Sequence, residues 1–197
     1  MLFTTPNLLT LGRIATVPLI IVLLLYPGPL AAAIAAAVFL VASVSDFLDG
    51  YIARNYDSGT TLGKFLDPLA DKLVVMSALI MLAGIPRTPR VPAWIVAVLV
   101  AREVLVTGLR AIAAAEGEII DADELGKYKM ALQCIALEGL LIHYTYWHID
   151  FFAAGTLVLW ISLVVSLWSG VEYFVKARGI FLGRRQPPAP SKRAIAQ

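Results

Sequence analysis

Six long apolar stretches dominate this sequence and limit the folds that it can adopt. They cover residues 8–26, 30–52, 66–84, 91–114, 130–147 and 151–175. The hydrocarbon core of a bilayer is about 30 Å thick and needs about 20 residues of helix, because backbone amides in lipid must be satisfied within the segment. Hydrophobic residues make up 59% of the chain and charged residues 15%, which argues against a soluble globular protein. The sequence therefore predicts an all-α, polytopic membrane protein with six transmembrane helices.

The charged residues predict how the helices are oriented. The formal net charge is only +2, so no global excess of charge points to a nucleic-acid partner. An even number of spans places both termini on one side, and all of the 16 basic residues except Arg87 and Arg90 lie on that side. The positive-inside rule makes that side cytoplasmic. We therefore expect a multi-pass protein of the cell inner membrane, with both termini in the cytoplasm.

The composition also predicts the domain organisation. Residues 1–178 are expected to form one six-helix membrane domain, and residues 179–197 a basic, disordered cytoplasmic tail. This tail is compatible with contact to anionic lipid headgroups or with a simple solvated end. Cys134 is the only cysteine, which excludes a disulfide framework and a cysteine-based zinc site.

Four aspartates lie at the edges of the second and third apolar stretches. Asp46 and Asp49 are three residues apart and Asp67 and Asp71 are four apart, so each pair shares one helix face. Four converging carboxylates would repel each other unless a cation bridges them, and hard oxygen ligands suit Mg²⁺ or Mn²⁺. The alternative is that they are solvated boundary residues or helix caps, with Asp67 capping a helix that starts at Pro68.

Small residues and one arginine accompany these aspartates. Gly50 and Ala53 follow Asp49 on the same predicted helix, and Gly63 precedes Asp67 by four residues. They remove side-chain bulk beside the carboxylates, and Arg54 supplies a cation suited to phosphate. This combination predicts a site for a bulky ligand that carries phosphate.

The complete pattern reads Asp46-x2-Asp49-Gly50-x2-Ala53-Arg54-x8-Gly63-x3-Asp67-x3-Asp71. It resembles the signature of the CDP-alcohol phosphotransferases, with every fixed position filled. The resemblance implies a six-helix membrane fold, commonly a homodimer, that holds two divalent cations and a CDP-linked lipid at the cytoplasmic interface. It implies that the four aspartates are the metal ligands and that Asp71 is also the general base. The residues that it assigns to the CDP-lipid are Gly50, Ala53, Arg54, Gly63 and, in the intervening loop, Thr60.

Basic residues elsewhere in the chain predict a second substrate with its own phosphate. Five of them are expected to face one cavity and to bind phosphate oxygens through charge-assisted hydrogen bonds: Arg13, Arg102, Arg110, Lys127 and Lys129. Asn7 and Thr10 stand at near-helical spacing before Arg13 and are assigned to the CDP-lipid. Basic residues at cytoplasmic helix ends are also what orientation alone requires, so this set is a hypothesis.

The Pro-Asn-x2-Thr-x2-Arg, Ala-Arg-Glu and Gly-Lys-x-Lys elements are similar to those of bacterial family members that make phosphatidylglycerol phosphate. The similarity runs from Pro6 to about Arg178. It implies CDP-diacylglycerol as the donor and sn-glycerol 3-phosphate as the acceptor. Serine, inositol phosphate and phosphatidylglycerol stay open as other acceptors. A small membrane transporter is the alternative outside enzymes, disfavoured because the aspartates cluster toward one interface instead of lining a path.

Overall fold

The computed structural model describes residues 5–53, 61–117 and 124–181, with their side chains over 10–45, 69–117 and 125–178. These residues form six helices and one short hairpin, which confirms the predicted all-α class. The elements are α1 (Thr5–Leu25), α2 (Pro29–Ala53), α3 (Thr61–Gly84), α4 (Ala93–Ala115), α5 (Glu124–Ile142), β1 (Thr145–Tyr146), β2 (Ile149–Asp150) and α6 (Phe151–Phe181). Helix α6 continues to Phe181, so the first three residues of the predicted tail, 179–181, are helical instead of disordered. Residues 182–197 lie outside the described part, and for them the disordered tail stays a prediction.

Several helices extend beyond the apolar stretches that predicted them, and the largest extensions are at the starts of α3 and α5 and at the end of α6, which runs to Phe181 instead of residue 175. Helix α3 begins at Thr61, five residues before the expected start, so Asp67 lies inside the helix. The alternative that Asp67 caps a helix start is therefore wrong. Helix α5 begins at Glu124 instead of residue 130. The extensions of α3 and α5 contain charged residues, which a hydrophobicity pattern leaves out.

Helix α5 also ends earlier than predicted, at Ile142 instead of residue 147. His143 follows with a φ of 65°, and Trp147 and His148 have φ values of 47° and 66°. Such left-handed conformations interrupt a right-handed helix. Strands β1 and β2 pair antiparallel across this reversal, so a hairpin occupies the connection that was expected to be helical.

The helices pack around one apolar core. Helix α1 packs against α2 and α3, α4 against α3 and α6, and α5 against α2 and α6. Phe39, Ile95, Leu137, Leu140 and Leu159 are fully buried between them. The alternating helix directions bring the start of α5 and the second half of α4 to the end of the bundle where α1 and α3 begin and α6 finishes.

The α5–α6 pair depends on two glycines. A Cβ atom at Gly155 would stand 2.7 Å from Leu140 N and 2.9 Å from the carbonyl carbon of Gly139, and one at Gly139 would stand 2.9 Å from Phe151 O. All these neighbours are backbone atoms, which cannot move aside as a flexible side chain can. The two helices therefore approach as closely as they do only because both positions lack a side chain.

Replacing Gly155 with alanine is expected to destabilise the protein by about 2 kcal/mol or more, because the added methyl group overpacks a backbone contact. This corresponds to a fall in Tm of about 4–8 °C for a chain of this size. Thermal unfolding of the purified protein in detergent measures it. Gly108→Ala in α4 is the matched control, since a Cβ there meets nothing within 4 Å. Equal Tm values for both variants would contradict the close approach of α5 and α6.

By length and composition, residues Phe151–Arg178 of α6 form a helix that is long and apolar enough to cross a membrane. The parts of α1 and α2 whose side chains the structure describes, Thr10–Leu25 and Pro29–Ser45, are apolar over a shorter length, and within the described side chains no other helix meets the same criterion. Charged residues in α3, α4 and α5, among them Lys72, Arg102 and Lys129, interrupt the apolar runs of those helices.

Candidate active site

A cavity of about 320 Å³ lies between α3, α4, α5 and the last third of α6. Its lining is unusually rich in charge for the interior of an apolar bundle. Two acidic residues, Asp71 and Glu103, and five basic residues line it: Lys72, Arg102, Arg110, Lys127 and Lys129. Three positive charges are therefore left over within this lining, so the cavity favours an anionic ligand.

Asp71 stands at one side of the cavity and is paired with α1. Its Oδ1 lies 2.6 Å from Nη1 of Arg13, whose side chain is only 5% exposed. Asp71 also borders a second, smaller cavity of about 40 Å³ that Arg13 and residues of α2 line. The Asp71 carboxylate thus joins the large cavity to the space between α1, α2 and α3. A charge-assisted bond of this length restricts the carboxylate to one orientation.

Glu103 connects three helices through its carboxylate. Its Oε1 lies 3.2 Å from Nζ of Lys72 on α3, and its Oε2 accepts a hydrogen bond from Nζ of Lys129 on α5. Arg102 Nη1 lies 3.2 Å from the same Oε2. Thr107, one turn later on α4, donates to the backbone carbonyl of Glu103 at 2.7 Å and also accepts from Lys72. One carboxylate therefore lies between three cations on the cavity wall.

Arg102 links α4 to α6. Its Nε donates to the carbonyl oxygen of Ser166 and its Nη2 to Oγ of Ser169, both at 2.9 Å. The side chain lies along α6 at Gly170, where a Cβ atom would be 3.4 Å from the Arg102 Cγ and Nε atoms. Two of the three guanidinium nitrogens thus serve the contact between α4 and α6, and Arg102 lines the cavity as a buried residue.

The structure brings most of the predicted phosphate-binding residues together. Four of the five line the large cavity, and Arg13 lies behind Asp71 at the smaller one. Thr10 is buried in α1 and lines neither cavity. Arg54 and Thr60 lie outside the described residues. The other predicted positions lie on described helices, but their side chains lie outside the described part: Asn7, Asp46, Asp49, Gly50, Ala53, Gly63 and Asp67.

Several residues of the cavity were not singled out from the sequence. Lys72, Glu103 and Thr107 form its polar wall, and Gln133 and Tyr173 are buried in its lining. Arg102 and Glu103 are adjacent in sequence and point about 100° apart on a helix, so their spacing alone gives no reason to expect that both line one cavity. The sequence nevertheless contains a signal that these residues belong to the site. Glu103 and Thr107 are four residues apart, so they share a helix face, and Lys72 directly follows Asp71.

The residues around Asp71 suit a divalent cation by their donor chemistry. Asp71 offers a carboxylate whose side chain is 20% exposed, and Asp67 precedes it by about one turn of α3. Asp46 and Asp49 lie about one turn apart on α2, which packs against α3. Within the described side chains no group of three or more His, Cys, Asp or Glu residues is present, and three of the four aspartates fall outside that set.

Comparison with known proteins assigns the family. The family model described as CDP-alcohol phosphatidyltransferase matches residues 3–168. The chain belongs to this family. A Bacillus subtilis (strain 168) protein named CDP-diacylglycerol–glycerol-3-phosphate 3-phosphatidyltransferase is 41% identical over 187 residues, covering 89% of this chain and 95% of the relative.

Two further relatives bear on the acceptor. A Rickettsia bellii (strain RML369-C) protein with the same printed name is 38% identical over 177 residues, covering 89% of this chain and 96% of its own length. A protein of Oryza sativa subsp. japonica named cardiolipin synthase (CMP-forming) is 37% identical over 195 residues, covering 92% of this chain and 59% of its own length. The resemblance read from the aspartate pattern is thus confirmed at the level of the family.

Proposed function

We propose that the protein is an integral membrane phosphatidyltransferase that makes phosphatidylglycerol phosphate and CMP from CDP-diacylglycerol and sn-glycerol 3-phosphate. The observation that carries the proposal is the cavity beside Asp71, with its five basic and two acidic residues. A donor that brings its own diphosphate and an acceptor that brings its own phosphate need such an excess of positive charge. The names of the bacterial relatives, which contain this donor and this acceptor, support the same reaction.

We place all six helices in the inner membrane, with the cavity and both termini on the cytoplasmic side. The outer surface of the bundle supports this arrangement, because large apolar side chains are exposed on it. Val41, Leu157, Val164 and Trp168 are each between 63% and 66% exposed, whereas soluble proteins rarely expose a contiguous apolar surface of this kind. A homodimer is the assembly that the family resemblance implies.

The proposed reaction is a displacement at phosphorus. The 1-hydroxyl of sn-glycerol 3-phosphate attacks the phosphorus bonded to diacylglycerol, the bond from that phosphorus to the bridging oxygen of the diphosphate breaks, and CMP leaves. Asp71 takes the proton of the attacking hydroxyl, and the Arg13 guanidinium at 2.6 Å holds its carboxylate in one orientation. Arg110, Lys127 and Lys129 bind the acceptor phosphate from the cavity wall, where Arg102 also contributes positive charge.

The donor is assigned to the other side of Asp71. Gly50 and Arg54 contact the CDP-lipid in this proposal, with Ala53 and Gly63 leaving space and Asn7 and Thr60 as further contacts. Thr10 is buried in α1 and lines neither cavity, so it is left out of this set. Asp46, Asp49, Asp67 and Asp71 hold two divalent cations, Mg²⁺ or Mn²⁺. When bound, these ions neutralise the diphosphate and stabilise the charge on the leaving CMP.

The rice relative favours a second candidate acceptor. Its printed name, cardiolipin synthase (CMP-forming), points to phosphatidylglycerol as the acceptor with the same donor and the same leaving group. Phosphatidylglycerol contains a phosphate diester, which carries one negative charge. The phosphate monoester of sn-glycerol 3-phosphate carries nearly two negative charges. The surplus of three positive charges in the cavity lining favours the more highly charged acceptor.

Release of CMP by the purified protein tests the proposal. The assay contains detergent, CDP-diacylglycerol and Mg²⁺, and compares sn-glycerol 3-phosphate, serine, inositol phosphate and phosphatidylglycerol as acceptors. Release that depends on sn-glycerol 3-phosphate is the expected result. Release with another acceptor would replace the acceptor and keep the donor, and no release with any acceptor would contradict the enzyme function.

Replacing Arg110 with glutamine is expected to raise the KM for sn-glycerol 3-phosphate about tenfold, because one charge-assisted hydrogen bond to the acceptor phosphate is lost. Arg110 is exposed at the cavity wall, so the substitution should leave the fold intact. Steady-state kinetics with each substrate varied in turn measures the effect. Arg178→Gln, an exposed arginine outside the cavity lining, is the matched control. A tenfold rise in both variants would show a general charge effect instead.

A further inference from the structure

We propose that Glu103 is a positioning residue that holds Lys129 and Lys72 in place to receive the acceptor phosphate, without contacting the acceptor itself. The inference rests on the proposed function and deepens it. It assigns to an acidic residue a role in binding an anion, which the sign of its charge alone would argue against.

The contacts of Glu103 carry the argument. Its two carboxylate oxygens take different partners, with Oε1 3.2 Å from Lys72 Nζ on α3 and Oε2 accepting from Lys129 Nζ on α5. Glu103 itself is on α4, so the carboxylate ties together the three helices that form most of the cavity wall. Arg102 Nη1 lies 3.2 Å from the same Oε2, which places a third cation against it.

Burial explains why these lysines need an anion. Lys129 is 7% exposed, and an ammonium group so far out of water is costly unless an opposite charge stands beside it. Lys72 and Arg102 lie close enough to share the same carboxylate, so without Glu103 three cations would repel each other across the cavity wall. Lysine is also flexible, with four rotatable bonds in its side chain, so a fixed partner removes much of the freedom that binding would otherwise have to remove.

Two opposite effects of Glu103 must be weighed. Its negative charge lowers the positive potential of the cavity and so weakens attraction of an anion at a distance. Its contacts keep Lys129 and Lys72 directed to the same wall, which strengthens short-range binding. We infer that the second effect is larger, because four other basic residues besides Lys129 line the cavity and keep it positive in the presence of Glu103.

The first test is Glu103→Gln, which keeps the size of the side chain and removes its charge. The KM for sn-glycerol 3-phosphate is expected to rise about ten- to a hundredfold, while the KM for CDP-diacylglycerol and kcat change less than threefold. Glu172→Gln is the matched control, since Glu172 accepts from Trp168 on α6 at 2.9 Å and lies outside the cavity lining. An unchanged or lower KM for the acceptor in Glu103→Gln would overturn the inference.

A double-mutant cycle separates positioning from general stability. If Glu103 acts in part through Lys129, the double variant Glu103→Gln/Lys129→Gln should raise the acceptor KM by clearly less than the product of the two single factors, because the contribution of Lys129 is lost only once. Independent structural damage would instead multiply the two factors, and that result would overturn the inference.

Two further measurements keep the result interpretable. If Glu103→Gln does not fold, Glu103→Asp replaces it, since a shorter carboxylate keeps the charge but does not reach both lysines. A rise in the acceptor KM alone supports the inference, and an equal rise for both substrates or no rise overturns it. A wild-type protein that releases no CMP with sn-glycerol 3-phosphate overturns the proposed function itself, whereas an active wild type with unaltered acceptor KM in the variants overturns only the role of Glu103.

Discussion

Replacing Asp71 with asparagine is expected to lower kcat by about a thousandfold or more while leaving the protein folded. Asparagine keeps an oxygen that accepts from Arg13 Nη1, so the link between α1 and α3 survives. It cannot take a proton from the attacking hydroxyl, and loss of a general base alone costs about a hundred- to ten-thousandfold in rate. CMP release under saturating substrates measures kcat, and thermal unfolding in detergent checks the fold.

Asp150→Asn is the matched control for this experiment. Asp150 lies in the hairpin before α6, where its Oδ1 accepts a hydrogen bond from the backbone N–H of Ala153 at 3.0 Å. Asparagine serves as a helix cap as well as aspartate does, so this variant should turn over at the wild-type rate. An Asp71→Asn variant that retains a tenth or more of the wild-type kcat would remove the assignment of Asp71 as the base.

Removing divalent cations with a chelator is expected to abolish CMP release, and adding Mg²⁺ or Mn²⁺ is expected to restore it. Without the cations, four aspartates and a diphosphate would face each other uncompensated, which opposes both binding and departure of CMP. Release measured against the concentration of free metal after chelation and desalting tests this, with K⁺ at equal ionic strength as the control for screening.

The number of ions provides an independent check of the same prediction. Binding of Mn²⁺ to the chelated protein should saturate at two ions per chain, and Asp71→Asn should weaken this binding because it removes one ligand. Full activity in a chelated protein that retains less than one divalent ion per chain would contradict the metal assignment.

The basic residues of the cavity show how far a sequence predicts which side chains lie together, while their role in binding the acceptor stays a prediction. The sequence predicts that Arg110, Lys127 and Lys129 face one cavity, and all three line the large cavity with Arg102. The sequence predicts Arg13 in the same group, but in the structure it pairs with Asp71 and lines the smaller cavity. Spacing along one helix does not reveal which partner a long side chain meets on another helix.

Glu103 and Arg102 show that sequence spacing can also miss residues that line the same cavity. They are neighbours in sequence, and helix geometry directs them about 100° apart, so no periodicity suggested a common site. In the folded bundle Arg102 reaches Ser166 and Ser169 on α6, and Glu103 reaches Lys72 and Lys129 on α3 and α5. The contacts of both residues depend on which side chains of α3, α5 and α6 lie next to α4. Only the packing of the helices determines this.

The family, the helical class and the approximate position of each helix followed from the sequence alone. Apolar runs predict helices because backbone amides bond within a helix, and the spacing of Asp46, Asp49, Asp67 and Asp71 resembles the family signature; both are local properties of the sequence. The tertiary structure decided the lengths of α3 and α5, the hairpin at Thr145–Asp150, and the ion pairs and hydrogen bonds that Glu103 makes in the cavity wall. These features depend on contacts between residues far apart in the chain, and their energies arise only when the helices pack together.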